Sequence, residues 1–214
     1  MIFIINKIEM EYTKKEINEM LTNNKKQPTV VESQDNSEVI TEADNKVSKI
    51  GDIKLYKLES KTIKILNNRI KDEYTAHYYY RAAANWCRDM NYKKAATFFD
   101  AEADDELGHA KKIQEYMTDF NILPEIETTK TKHEFDNLID IIHGAYKMEL
   151  ALMNDYNKDS QDVFSDDITT FDFLTEFREI QKGAVIEYND LINASNLIDK
   201  KDKFQVLYFE QTYF

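Results

Sequence analysis

From about residue 60 onward, apolar side chains recur every three or four positions, the period of a helix buried along one face. Ile63, Leu66, Ile70, Tyr74, His77, Tyr78 and Arg81 lie along the first such segment, which runs to about residue 90. Asn91 and Tyr92 make a short joint, and a second segment runs from about 93 to 120. The run Asn121-Ile-Leu-Pro124 ends it, and a loop continues through Lys132. A third helix begins near 134 or 136 and extends to about 157. Residues 158–167 read as a polar loop with Ser165 or Asp166 as the next N-cap, and a fourth helix spans about 168 to 198. Lys200-Lys-Asp-Lys203 breaks the pattern, and an aromatic tail follows from Phe204 to Phe214. Tight joints within each helix pair make antiparallel neighbours, and the longer loop between the pairs crosses the length of a bundle. The expected fold of residues 58–214 is all-α: an antiparallel four-helix bundle with a long crossover between helices two and three and a short C-terminal helix.

Residues 1–57 break this rhythm and are expected to form an extension, largely disordered or arm-like. Residues 13–21 suit a short helix, with Thr13 as N-cap and Glu16 three positions later. Residues 23–29 and 32–37 are polar and aperiodic, as in a linker. Residues 47–58 alternate weakly, as in a strand or an extended arm, and Met10 is a second candidate start.

Composition narrows the picture. Four Gly and two Pro in 214 residues argue against a β-sandwich or a Rossmann sheet, both of which need many turns. The single cysteine, Cys87, excludes an intrachain disulfide and a thiolate metal site, and reads as a small buried hydrophobe. No run approaches the roughly 20 apolar residues of a membrane span. Met1-Ile-Phe-Ile-Ile5 is too short for a secretory segment and is followed by Glu9 and Glu11, so a soluble cytoplasmic protein away from membranes is expected. The net charge is −12. Residues 1–57 hold 9 basic and 10 acidic side chains, leaving 19 against 30 for the rest, so the negative field belongs to the bundle. That balance argues against nucleic acid as a direct partner and suits a protein that gathers cations.

Candidate chemistry lies on the helices. Glu106 and His109, three positions apart, project from one helical face and can share a metal ion. Glu73 and Tyr80 are two turns apart on one face of the first helix. Glu149 sits among the apolar Tyr146, Leu150, Leu152 and Met153 of the third, and Gln181 lies between Phe177 and Val185 in the fourth. In a chain with 40 acidic residues any one of these is ordinarily a surface carboxylate. Three carboxylates and an imidazole turned into a bundle, however, require compensation, which bound cations supply. Oxygen-rich ligation with one nitrogen suits iron(II), manganese or zinc.

These positions together resemble those of the ferritins, specifically non-haem ferritins with heavy-chain-like site residues. The resemblance runs from Leu66-Asn-Asn-Arg-Ile-Lys-Asp-Glu73 to the end of the chain. It takes in Tyr80, Asp105-Glu106-Leu-Gly-His109, His143-Gly-Ala-Tyr-Lys-Met-Glu149, Phe173-Leu-Thr-Glu-Phe-Arg-Glu-Ile-Gln181 and the tail Val206-Leu-Tyr-Phe-Glu-Gln211. It implies a ferroxidase with a di-iron centre, taking iron(II) and oxygen or peroxide as substrates. In that pattern Glu73 and His109 bind the first iron, Glu106 bridges, and Glu149 holds the second. Gln181 contacts the second-iron side or oxygen, and Tyr80 hydrogen-bonds the bridging carboxylate and supplies an electron. It further implies iron storage in a homo-oligomeric cage of 24 subunits, with the N-terminal arm on its outside, where it can bind a partner of unknown kind.

Several positions depart from the family pattern. Ala184 stands where bacterial-type ferritins carry a glutamate for a third iron, and Gly108 and Lys111 stand where animal heavy chains carry mineral-nucleating acids. Phe171 and Leu174 fall near the acids of the animal three-fold pore. Leu152, three residues after Glu149, disfavours rubrerythrin and bacterioferritin, which repeat Glu-x-x-His. The alternative from a different class is a ferritin-fold structural or docking subunit without catalysis, its arm carrying the function.

Overall fold

The computed structural model describes residues 56–130 and 134–214. The expected helix at 13–21, the polar stretches and nearly all of the alternating segment at 47–58 lie outside the described residues. Five helices follow in order: α1 (Ser60–Asp89), α2 (Lys93–Asp119), α3 (Leu138–Val163), α4 (Ile168–Ser195) and α5 (Lys203–Tyr213). Every regular element among the described residues is a helix, as the hydrophobic pattern requires.

The ends of α1 and α2 are built alike. At each, an asparagine takes the left-handed conformation just past the helix, Asn91 at φ 63° and Asn121 at φ 59°. The amides of Asn91 and Tyr92 then bond back to the carbonyls of Arg88 (3.1 Å) and Cys87 (2.8 Å). Those of Asn121 and Ile122 bond to Thr118 (2.9 Å) and Met117 (3.0 Å) in the same way. This is the Schellman closure, with asparagine in the place glycine usually takes. After Asn91 the chain reverses, so α1 and α2 lie antiparallel and pair closely. After Asn121 the crossover carries it to the other pair, and α3 starts at Leu138 because Asn137 caps the amide of Asp140 (2.9 Å).

The third helix is longer than the polar run after Asn157 implied. It continues to Val163 because Tyr156, Ser160 and Val163 keep one face buried through that run. The loop before α4 shrinks accordingly, and the N-cap is Asp167, not Ser165 or Asp166. Asp167 is buried and accepts from the amide (2.9 Å) and hydroxyl (2.7 Å) of Thr170 and from Tyr56 Oη (3.1 Å). The fourth helix ends at Ser195, three residues short of the expected boundary.

The core runs along the bundle axis through Leu66, Ile70, Phe99, Ile113, Met117, Leu138, Ile141, Leu174 and Phe177, with Cys87 buried among them. Gly144 makes room on α3 for a side chain of α1: the Tyr79 hydroxyl fills the space a Cβ would take and donates to the carbonyl of Ile141 (2.8 Å). Gly108 and Gly183 meet no such neighbour. The aromatic tail forms α5, capped by Asp202. Its Glu210 is fully buried and accepts from the amides of Lys94 (2.7 Å) and Ala95 (3.0 Å). Tyr92, the residue before α2, offers no side-chain cap, so a residue from the far end of the chain satisfies the first turn of that helix.

Candidate metal centre

Each of the four long helices turns polar side chains into the middle of the bundle. Glu73 and Tyr80 come from α1, Glu106 and His109 from α2, Glu149 from α3 and Gln181 from α4. Glu73, Tyr80 and Glu149 have no exposure, Gln181 and Glu106 have 1% and 5%, and only the His109 side chain, at 19%, reaches partly toward solvent.

Glu73, Glu106 and His109 form the tight part of the group, each offering one ligand atom within 4.8 Å of the others. His109 Nδ1 stands 2.9 Å from Glu106 Oε2 and 3.5 Å from Glu73 Oε2. Glu149 and Gln181 stand outside this trio. Tyr80 Oη donates to Glu149 Oε1 and not to the expected bridging carboxylate Glu106, while Gln181 Oε1 is buried with no partner. Glu73 Oε2 and Glu149 Oε2 are likewise buried and without a hydrogen-bond partner. Buried oxygens without partners, an imidazole and a further carboxylate are a donor set whose chemistry fits a hard or borderline divalent cation.

The electrostatics express the same tension. Burial, then the neighbouring charge of Glu73, pushes the Glu106 carboxyl well above the usual carboxylate range. Burial also raises Glu149, to about 7, against the hydrogen bond from Tyr80 that opposes it. Burial works to raise Glu73 too, but Glu106, His109 and Tyr156 together hold it below its ordinary value. For His109, burial disfavours the imidazolium, yet Glu73, Asp105 and Glu149 outweigh it and raise the value. A pocket of acids that retain protons when bare can exchange them for a metal ion.

The structure adds residues that the motif reading left out. Tyr156 of α3 is fully buried and donates to Glu73 Oε1. It lies seven residues after Glu149, the same two-turn spacing that relates Tyr80 to Glu73, and that spacing was its signal in the sequence. Glu102, one turn before Glu106, accepts from the buried Tyr188 Oη (3.1 Å), and burial together with Glu187 raises its carboxyl to about 7. The Tyr188 and Tyr80 rings stack at 6.1 Å and 8°.

Residues 63–198 match the model of the ferritin-like domain. The bacterial non-heme ferritin of Campylobacter jejuni is 25% identical over 143 residues, covering 66% of this chain and 86% of that protein. The bacterial non-heme ferritin of Staphylococcus haemolyticus is 28% identical over 143 residues, with the same coverage of 66% and 86%. Among solved structures, an open pore ferritin from the hyperthermophilic archaeon Archaeoglobus fulgidus has the same fold. It gives a TM-score of 0.68 at 18% identity and covers 73% of this chain and 97% of that one. The family match spans most of the bundle and includes every helix that contributes to the centre, so the chain belongs to the ferritin family.

Proposed function

We propose that this protein is an iron-storage ferritin that oxidises iron(II) at a di-iron centre within each subunit and keeps the ferric product inside a homo-oligomeric cage, in the family's pattern one of 24 subunits. The observation that carries this reading is the buried cluster of Glu73, Glu106 and His109, together with Glu73 Oε2, Glu149 Oε2 and Gln181 Oε1 buried without hydrogen-bond partners. The bacterial non-heme ferritins among its relatives support iron as the cation.

In this reading Glu73 and His109 hold one ferrous ion, Glu149 the other, and Glu106 lies between them. Gln181 offers its amide oxygen on the Glu149 side. Three carboxylates nearly balance two divalent ions, which relieves the cost of burying the acids. Binding expels the protons that Glu106 and Glu149 retain when bare. Tyr80 fixes the direction of Glu149 through its hydrogen bond. Each ferrous ion gives up one electron; dioxygen accepts the pair with two protons to give hydrogen peroxide, or hydrogen peroxide accepts the pair with two protons to give two waters. The protein's part is to hold both donors at one acceptor and to release the ferric ions to storage.

The test is aerobic oxidation of added ferrous iron by the purified protein beside a Glu106→Ala/His109→Ala double variant. Fast oxidation that the variant loses is expected. Equal, slow oxidation in both would overturn the enzyme reading and leave the fold as a scaffold.

A further inference from the structure

Two tyrosines hold the two end carboxylates of the centre in matching ways. Tyr80 donates to Oε1 of Glu149 and leaves Oε2 without a partner. Tyr156 donates to Oε1 of Glu73 and leaves its Oε2 without one, 3.5 Å from His109 Nδ1. The Tyr156 ring is held by neighbours from two other helices. It stacks on Phe177 of α4 at 5.2 Å and 13°, and the Arg69 guanidinium of α1 lies 5.5 Å from its centroid. Arg69 is itself buried and fixed by Asp72 (2.9 Å), Asp155 (3.3 Å) and Asp159 (3.3 Å), the last two flanking Tyr156 on α3. The hydroxyl therefore has one place to be.

A glutamate carboxylate turns broadly about its terminal bond, so which oxygen meets a metal is undecided unless a neighbour decides it. A pinned donor on one oxygen decides it. We propose that Tyr156 is a positioning residue for Glu73. By occupying Oε1 it makes Glu73 a one-oxygen ligand and presets Oε2 beside His109, as Tyr80 does for Glu149. Glu106 is then the one carboxylate of the three with no tyrosine on it; its Oε2 meets His109 Nδ1 at 2.9 Å, and it is the carboxylate left to span two ions once His109 turns to a metal. This rests on the di-iron reading above and specifies how its ligands are arranged.

The test uses cobalt(II), which binds such sites and reports its geometry by visible absorption without turning over. The full-length wild type, Tyr156→Phe and Tyr80→Phe are titrated by calorimetry and spectroscopy, with circular dichroism and melting to verify the fold. Phenylalanine keeps the stack on Phe177 and removes only the donor. The loss of one charge-assisted hydrogen bond should weaken one ion of the pair about 10-fold or more in Tyr156→Phe and alter its spectrum, the second ion holding within about twofold. Tyr80→Phe should weaken the other ion instead. Wild-type affinities and spectrum in Tyr156→Phe would overturn the inference, and so would equal weakening of both ions. A wild type that binds no cobalt would overturn the di-iron reading itself, which separates that failure from the first.

Discussion

Replacing Gly144 with alanine should destabilise the bundle, although alanine is the better helix former. Helix propensity alone favours the substitution by about 1 kcal/mol. The new Cβ, however, would stand 2.1 Å from Tyr79 Oη and 3.0 Å from its Cζ. The ring has little room to retreat, because Phe135 packs edge-on at 5.5 Å and Tyr80 at 5.8 Å. Forcing a methyl into such a site costs about 1–3 kcal/mol, and pulling the buried hydroxyl off the Ile141 carbonyl costs about 1–3 kcal/mol more. The net loss is about 2–4 kcal/mol. The same shift would disturb Tyr80, the next residue, and Glu149, five residues along α3, so metal binding should weaken with stability. The assay is thermal and denaturant unfolding of Gly144→Ala, Tyr79→Phe and the double variant. Removing the hydroxyl abolishes the 2.1 Å contact and leaves the ring carbon at 3.0 Å, so the double variant should be more stable than Gly144→Ala alone. A Gly144→Ala protein that melts above wild type, or a double variant whose losses simply add, would refute the reasoning.

The metal-free bundle should lose stability as pH rises from about 4.5 to about 7, because Glu149 and Glu102 keep protons in the folded state over a range where the unfolded chain has released them. The slope for Glu149 is worth on the order of 3 kcal/mol across that window and should flatten in Glu149→Gln or with a divalent ion bound, as denaturant titrations at several pH values would show. Glu210→Ala should cost about 1–2 kcal/mol by uncapping α2, and hydrogen exchange at the Lys94 and Ala95 amides should accelerate far more than elsewhere; unchanged exchange there would count against the cap.

The helices were legible because their apolar stripes persist for many turns, and the ends of α1 and α2 because asparagine sits where the chain must turn left-handed. The end of α3 was not. Asn157, Lys158, Asp159, Gln161 and Asp162 look like a loop to any local reading, and only contact with the rest of the bundle shows that Tyr156, Ser160 and Val163 continue the buried face. The choice of Asp167 as cap was hidden for a similar reason: Ser165, Asp166 and Asp167 are equal candidates locally, and burial against Tyr56 and Thr62 selects among them. At the centre, a carboxylate and imidazole at ligand spacing announce themselves. A tyrosine that holds a ligand does not, because its ring is equally at home in an ordinary core. Tyr156 and Tyr188 acquire meaning only from the carboxylates they meet on other helices.

The cap that Glu210 places on α2 imposes an order on the nascent chain. The α1–α2 hairpin leaves the ribosome first, yet the amides that open α2 find their carboxylate only when residue 210 has been made, over a hundred residues later. At about 5–20 residues per second that is a wait of roughly 6–20 seconds. Throughout it the start of α2 frays, and the first hairpin stays provisional until the last helix folds back onto it.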